Sequence, residues 1–139
     1  MRMFRALDIS GSSLTAHRLW LDAIASNLAN ANTTRTAEGG PYRRKVPVFA
    51  EMLDSASGKE GGTGGVRVME IVPDDAPPRL VYQPDHPDAN AEGYVAFPNV
   101  NLVREMTDML VASRAYEANL AVADSARSMW SGALEIMRG

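Results

Sequence analysis

The sequence predicts a mainly α-helical protein with a small β-rich middle, in which the N- and C-terminal helices pair as a coiled coil and a module of short strands joins them. Apolar residues recur at helical spacing at both ends of the 139-residue chain, while glycine and proline concentrate between them. The composition, 45% apolar and 22% charged, is that of a folded chain. We expect residues 1–33 and 98–139 to form a helical coiled-coil domain and residues 34–97 to form the β-rich middle.

The first 32 or so residues form the predicted N-terminal helix. Leucines recur at every seventh position, and Ile24 and Ala25 widen this stripe; the four leucines are Leu7, Leu14, Leu21 and Leu28. Serines and a glycine at residues 10–13 weaken the first turns, because these residues prefer caps and turns to helix interiors. The helix is therefore predicted most firmly from Leu14 onward.

Three asparagines, Asn27, Asn30 and Asn32, lie in the stretch SNLANANTT that follows the apolar stripe. One interpretation is that Asn30 and Asn32 end the helix, because asparagine tolerates the left-handed conformation of helix C-termini. The other is that the amides hydrogen-bond across a helix–helix contact and fix its register. The two interpretations are compatible, and Asn27 and Asn30 share one helix face.

The middle of the chain alternates turn signals with short β-prone runs. Gly39-Gly40-Pro41 is a predicted turn, and Pro47 limits the run YRRKVPVF to an edge or irregular strand. The glycine- and serine-rich segment from Ser55 to Gly65 is a predicted flexible surface loop. Further strands are expected at Val66–Val72, Arg79–Tyr82 and Tyr94–Phe97, with a proline-containing loop between the last two.

One long helix is predicted from about residue 99 to residue 138, with Pro98 and Asn99 as its start signal. At 1.5 Å per residue it would be roughly 60 Å long, and a chain of this size can hardly bury such a helix alone. We expect partner chains to cover its last turns. Its side chains alternate in steps of four and three, the spacing of a coiled-coil seam: Leu102, Met106, Met109, Ser113, Tyr116, Leu120, Ala123, Arg127, Trp130, Leu134 and Met137.

No group of residues predicts catalysis, a metal site or a bound cofactor. The chain has no cysteine, and His17 and His86 are not clustered with the ligands or nucleophiles that such chemistry needs. The segment Ser55–Gly65 lacks the Gly-Lys-Ser/Thr ending of a phosphate loop. The cluster Arg43–Lys45 is too short for a nucleic-acid surface, so we interpret it as a salt-bridged or solvated strand.

The charge is unevenly distributed, although the net charge is only −3. Residues 1–49 carry 7 Lys and Arg against 3 Asp and Glu, whereas residues 50–99 carry 3 against 9. This pattern suits subunits that dock on one another, and a solvated surface explains it equally well. No apolar stretch approaches the roughly 20 residues that span a bilayer, so direct bilayer insertion is not expected. Without an apolar h-region near the N-terminus, we expect a cytoplasmic protein or one exported without signal cleavage.

ASNLANANTT near the N-terminus and YEANLAV near the C-terminus together resemble the paired terminal signatures of bacterial flagellar axial proteins (rod, hook and hook-associated). The segments GGPYRRKVPVFAEML, GGVRVMEIV and RLVYQPDHPDANAEGYVAFPNVN are similar to those of the proximal-rod members. The resemblance extends from Leu7 to Met137, and the block from Tyr82 to Asn101 is its most specific part. It identifies the chain as a member of this family.

The resemblance implies a non-enzymatic structural subunit of the flagellar proximal rod, the drive shaft of the basal body. Members leave the cell through the flagellar type III export apparatus without signal cleavage and assemble in the periplasm. The implied partners are other proximal-rod proteins, the rod-base adaptor protein, the inner-membrane ring protein and the distal rod. The terminal helices would form the inner tube around the export channel, and the β-rich middle would face outward.

Carried over by motif, the family's positions are Asn27, Asn30, Asn32 and Thr33 in the first helix and Tyr116, Glu117, Asn119 and Leu120 in the second. Three alternatives remain at this point: another axial protein, a cytoplasmic coiled-coil module such as an export chaperone, and, least favoured, an enzyme. Together with the two apolar stripes, the motifs predict an assembly interface: Leu14, Leu21, Ile24, Asn27, Leu28, Asn30, Asn32, Leu102, Met106, Met109, Tyr116, Asn119, Leu120, Ala123, Trp130 and Leu134.

Overall fold

Two helices enclose two β-hairpins in the computed structural model, which describes residues 2–53 and 63–138. This order confirms the predicted class, two terminal helices with a small β-rich middle. In chain order the elements are α1 (Arg2–Ala29), β1 (Lys45–Leu53), β2 (Thr63–Pro73), β3 (Arg79–Tyr82), β4 (Tyr94–Phe97) and α2 (Leu102–Arg138).

Helices α1 and α2 pack against each other and run antiparallel. The Asn119 amide donates to the Ser13 hydroxyl over 3.1 Å, and the Asn27 amide donates to the Glu105 carboxylate over 3.0 Å. Asn27 follows Ser13 by 14 positions, and Glu105 precedes Asn119 by the same 14. The two contacts are therefore about 21 Å apart along both helices and fix their relative register.

Small side chains occupy most of the buried positions of the helices. Ala16 and Ala23 are buried on α1, as are Ala112 and Ala126 on α2, and Ile24 is the large apolar exception. Met109, Ser113, Tyr116 and Ala123 of the predicted seam are half-buried, whereas several of its larger members are exposed. The exposed members are Leu102, Met106, Leu120, Arg127, Trp130, Leu134 and Met137.

Strands β1 and β2 pair antiparallel from Lys45↔Pro73 to Leu53↔Thr63, with register shifts at two points. Pro47 lies in this two-stranded sheet, where every strand is an edge strand, as its missing N–H requires. The loop predicted from Ser55 to Gly65 needs correction, because Thr63–Gly65 already belong to β2. The remainder of that prediction lies outside the described residues. Strands β3 and β4 have the predicted bounds and pair as a second hairpin.

The β1–β2 hairpin rests on α1. The backbone N–H of Val66 donates to the Ser12 hydroxyl over 3.2 Å, and the rings of Trp20 and Phe49 meet edge to face with centroids 5.9 Å apart. Gly65 has a φ of +120°, and its backbone approaches the Ser12 side chain too closely for a Cβ. The serines that weaken the first turns of α1 thus provide the hairpin's attachment point.

Both helix ends next to the middle region differ from the prediction. Helix α1 ends at Ala29 rather than near residue 32. Helix α2 begins at Leu102, and its cap is Asn101 rather than Asn99, because the Asn101 side chain accepts the N–H of Arg104 over 3.1 Å. Neither helix, over its described length, combines the length and apolarity needed to cross a membrane.

Candidate functional site

Asn27 is the centre of a buried hydrogen-bond network at the junction of α1, β1 and α2. Its amide nitrogen donates to the carbonyl of Lys45 over 2.9 Å and to the carboxylate of Glu105 over 3.0 Å. Its amide oxygen accepts the N–H of Lys45 over 2.7 Å and the hydroxyl of Tyr42 over 3.0 Å. Only 1% of Asn27 is exposed, and these four bonds use its full capacity.

Glu105 extends the network to Arg44. The Glu105 side chain is fully buried, and its second oxygen lies 2.5 Å from the Nε of Arg44. The other guanidinium nitrogens face the carboxylates of Asp74 at 3.6 Å and Asp108 at 3.5 Å. We call the residues Asn27, Tyr42, Arg44, Lys45 and Glu105 the polar clasp.

The surroundings of Arg44 keep its guanidinium protonated. Burial alone would lower the pKa of Arg44, but the hydrogen bond and charge of Glu105, followed by the charges of Asp74 and Asp108, outweigh burial and raise it. Arg44 is therefore a permanent cation inside the clasp. The interpretation of Arg43–Lys45 as a salt-bridged segment is confirmed for its central residue.

Asn99 supports the clasp from the segment that precedes α2. Its side-chain oxygen accepts the backbone N–H of Arg44 over 3.1 Å. Its amide nitrogen is buried and has no hydrogen-bond partner among the described residues. The Tyr42 hydroxyl also lies 3.1 Å from the hydroxyl of Ser26. The clasp thus joins the end of α1, the start of β1 and the first turn of α2.

The other motif amides have different surroundings. Asn30 bonds locally, since its amide donates to the carbonyl of Ser26 over 2.9 Å and its oxygen accepts the Thr33 hydroxyl over 3.2 Å. Asn30 therefore caps the end of α1, and Asn32 is exposed beyond it. Every positive φ in the described chain belongs to a glycine, so these caps do not use the expected left-handed conformation. Asn119 contacts Ser13 across the helix pair.

Helix α2 exposes many large apolar side chains. Val103 is 75% exposed, Met106 61% and Leu110 60%. Large apolar side chains exposed in such number are typical of a helix that other chains cover. We call the following exposed large apolar residues of this helix the apolar α2 surface: Leu102, Val103, Met106, Leu110, Val111, Leu120, Val122, Met129, Leu134, Ile136 and Met137.

The predicted interface residues thus divide into two groups. Ile24 and Asn27 are buried within the chain, and Leu14, Leu21 and Leu28 are half-buried on α1. On α2, four of the predicted residues are half-buried and five are exposed: Met109, Tyr116, Asn119 and Ala123 are half-buried, and Leu102, Met106, Leu120, Trp130 and Leu134 are exposed.

Sequence reasoning missed Tyr42, Arg44 and Glu105 as a connected group. The available signal was heptad spacing, since Glu105, Ala112, Asn119 and Ala126 recur at every seventh position. A glutamate at the first position of such a heptad series is normally a solvent-exposed residue. Only the fold shows that Arg44, 61 residues earlier, supplies its counter-charge.

The remaining candidate residues have structural partners. The ring of His17 donates to the Ser13 carbonyl over 2.7 Å, and the ring of His86 accepts the N–H of Asp88 over 3.1 Å. The Asp88 carboxylate accepts the hydroxyl of Thr34 over 2.8 Å and pairs with Arg35 at 3.2 Å. Asp88 therefore anchors the β3–β4 loop to the segment that follows α1.

Comparison with known proteins supports the family assignment of the two terminal motifs. A family model described as "Flagella basal body rod protein" matches residues 7–35, and one described as "Flagellar basal body rod FlgEFG protein C-terminal" matches residues 91–136. Flagellar basal-body rod protein FlgC of Borreliella burgdorferi is 45% identical, with 100% of both chains aligned. The chain belongs to the FlgC family of flagellar basal-body rod proteins. FlgC of Bacillus subtilis is 43% identical over 98% of this chain and 99% of that one. FlgC of Escherichia coli O157:H7 is 44% identical over 93% of each.

Membership of the FlgC family decides between the hypotheses raised by the sequence. The chain is a structural subunit of the basal-body rod, neither an enzyme nor an export chaperone. The predicted resemblance to rod proteins is confirmed, and the FlgC relatives align with the β-rich middle as well as with the terminal helices.

Proposed function

We propose that this FlgC-family chain is a subunit of the proximal rod, polymerising with other rod proteins into the drive shaft around the export channel. Helices α1 and α2 pair as a coiled coil and contribute to the inner tube, and the two β-hairpins face outward. The observation that carries this proposal is the apolar α2 surface, which extends along a helix of 37 residues. A surface of this kind is an interface awaiting partners.

The polar clasp contributes to assembly indirectly, by orienting α2. All four hydrogen bonds of Asn27 end within its own chain, so the residue organises one subunit. By joining α1, β1 and α2, the clasp fixes the rotation of α2 about its axis. That rotation decides which side chains face a neighbour. Asn27 therefore acts on assembly by orienting residues such as Met106 and Leu120.

The neighbours in this proposal are other proximal-rod proteins, the rod-base adaptor protein, the inner-membrane ring protein and the distal rod. Heterologous, head-to-tail contacts between such subunits produce a helical tube when their rotation does not close. We further propose that the chain reaches the periplasmic part of the basal body through the flagellar type III export apparatus, without signal cleavage. The support is the FlgC membership together with the family resemblance of both terminal motifs.

A substitution in the apolar α2 surface tests the proposal. Leu120 is 45% exposed, so Leu120→Asp leaves the folded chain intact and places an uncompensated charge in the proposed interface. We expect normal cellular levels of the variant by immunoblot, loss of swimming in soft agar, and absence of the chain from isolated basal bodies by mass spectrometry. The matched control Leu120→Met keeps the apolar volume and should swim normally. Normal swimming of Leu120→Asp would contradict the assignment of this surface.

A further inference from the structure

A recess of about 580 Å³ lies beside the start of β1 and borders the polar clasp, with which it shares Tyr42 and Lys45. Its walls include Pro41, Tyr42, Ile71 and Pro73, and the 36–41 turn closes one side. Ile71 is 40% exposed in this recess. The recess therefore offers an apolar floor large enough for an aromatic side chain. We call it the basic recess because of its charged lining.

Two cations line the basic recess. Arg43 and Lys45 lie on the same side of the extended chain, opposite Arg44, which points into the clasp. Within residues 2–53 and 63–138, neither Arg43 nor Lys45 forms an ion pair, although Lys45 lies 6.0 Å from the Tyr42 ring centroid. Glu38 also lines the recess, which leaves an excess of one positive charge.

The tip of the β3–β4 hairpin has the complementary chemistry. Tyr82 and Tyr94 are 63% and 41% exposed, and their rings meet at 5.3 Å. Asp85 and Glu92 are exposed in the loop that joins these strands. In the part of the chain that the structure describes, neither carboxylate forms an ion pair. The exposed rings and carboxylates of the hairpin tip therefore complement the basic recess, which has an apolar floor and a cationic lining.

The 36–41 turn separates these two features. Gly39 and Pro41 line the basic recess, while Gly40 and Pro41 also line a second depression with Pro87, Asp88 and Ala89 of the β3–β4 loop. The loop is held there by the pairing of Asp88 with Arg35. The hairpin tip and the recess therefore lie on two flanks of one turn. Such an arrangement favours contact between copies over contact within one copy.

We propose that the basic recess receives the β3–β4 hairpin tip of a second copy of this chain, with Arg43 and Lys45 facing Asp85 and Glu92. This inference rests on the proposed function, for which it names a lateral contact between like subunits. The contact is heterologous, since two different surfaces meet, and repetition forms a row of copies. Exposed ion pairs are weak and salt-sensitive, so the contact is weak between free subunits and depends on the high local concentration in an assembly.

Disulfide cross-linking between two labelled chains tests this contact, because the chain has no cysteine of its own. One full-length chain carries Ala37→Cys beside the recess, and the other carries Ala91→Cys in the hairpin loop. We expect a mixed dimer at low salt. Arg43→Glu on the first chain or Glu92→Lys on the second should lower its yield at least fivefold. Both reversals together should restore the yield, whereas Arg18→Glu on α1 should have no effect.

The outcomes separate this inference from the proposed function. An absent mixed dimer, or reversals that fail to compensate, would overturn the lateral contact. Incorporation of the unmodified chain into basal bodies is measured independently by mass spectrometry. If that incorporation is found without the mixed dimer, only the lateral contact fails. If the chain is absent from basal bodies, the proposed function fails.

Discussion

A single asparagine side chain connects three segments at the centre of this molecule. Asn27 supplies two donors and one oxygen that accepts twice, and all are used within 3.0 Å. An aspartate of the same size would lack both donors and would place a second carboxylate against Glu105. A leucine would leave the backbone N–H and carbonyl of Lys45 and one carboxylate oxygen of Glu105 without their partners. This position therefore requires a side chain that both donates and accepts hydrogen bonds, which is a role separate from helix capping.

The ion pair between Glu105 and Arg44 is the most costly contact of the clasp to break. Glu105→Ala leaves the Arg44 cation half-enclosed without its main partner, so we expect the free energy of unfolding to fall by roughly 3–5 kcal/mol. Urea unfolding followed by circular dichroism measures the change. The control is Glu117→Ala, which removes an exposed α2 carboxylate paired with Arg114 and should change stability by less than about 1 kcal/mol. Equal effects of the two substitutions would contradict the clasp.

Among the elements, the β1–β2 hairpin depends on packing against a neighbour. An isolated two-stranded hairpin is marginally stable in water, so it must pack on another element. Here that element is α1, through the Val66–Ser12 hydrogen bond and the Trp20–Phe49 ring contact. Gly65 allows the close approach, because its backbone is left-handed and meets the Ser12 side chain. The hydrogen bond and the ring contact are therefore two specific points of this attachment.

Gly65→Ala tests this attachment. The new methyl group would collide with the Ser12 hydroxyl and would also face a φ of +120°, so we expect the hairpin to separate from α1 and the midpoint of thermal unfolding to fall by several degrees. Trp20 fluorescence, recorded in a Trp130→Phe background, should report the lost contact with Phe49. Gly11→Ala is the control, since no atom lies within 4 Å of the added methyl group and alanine favours helix. An unchanged fluorescence spectrum in Gly65→Ala would contradict the attachment.

The success of sequence reasoning differed between elements for physical reasons. The strands Arg79–Tyr82 and Tyr94–Phe97 were predicted with the observed bounds, because proline and glycine delimit them locally. The start of β2 was missed, since glycines that indicate a loop can equally serve a close backbone approach, as Gly65 does. Glu105 was missed because its burial depends on a partner 61 residues away, which no local pattern encodes.

On the scale of the whole molecule, the two helices are unequal in length and fixed in register. Extending the antiparallel register of Ser13 with Asn119 and of Asn27 with Glu105 places the first turn of α1 opposite residue 130. Residues 131–138 of α2 therefore project beyond the helix pair, with Ile136 84% exposed and Met137 75% exposed. This overhang is the part of the fold that has least support from its own chain.

Hydrogen exchange measured by mass spectrometry tests whether the overhang depends on partners. A helical segment of about two turns is marginal without packing, so in the isolated chain we expect residues 131–138 to exchange at least about tenfold faster than residues 105–126. In rods purified from cells, the same residues should become as protected as the rest of α2, because neighbouring subunits cover them. Uniform protection along α2 in the isolated chain would show that the overhang is stable alone, and the helix would then need no partner to complete it.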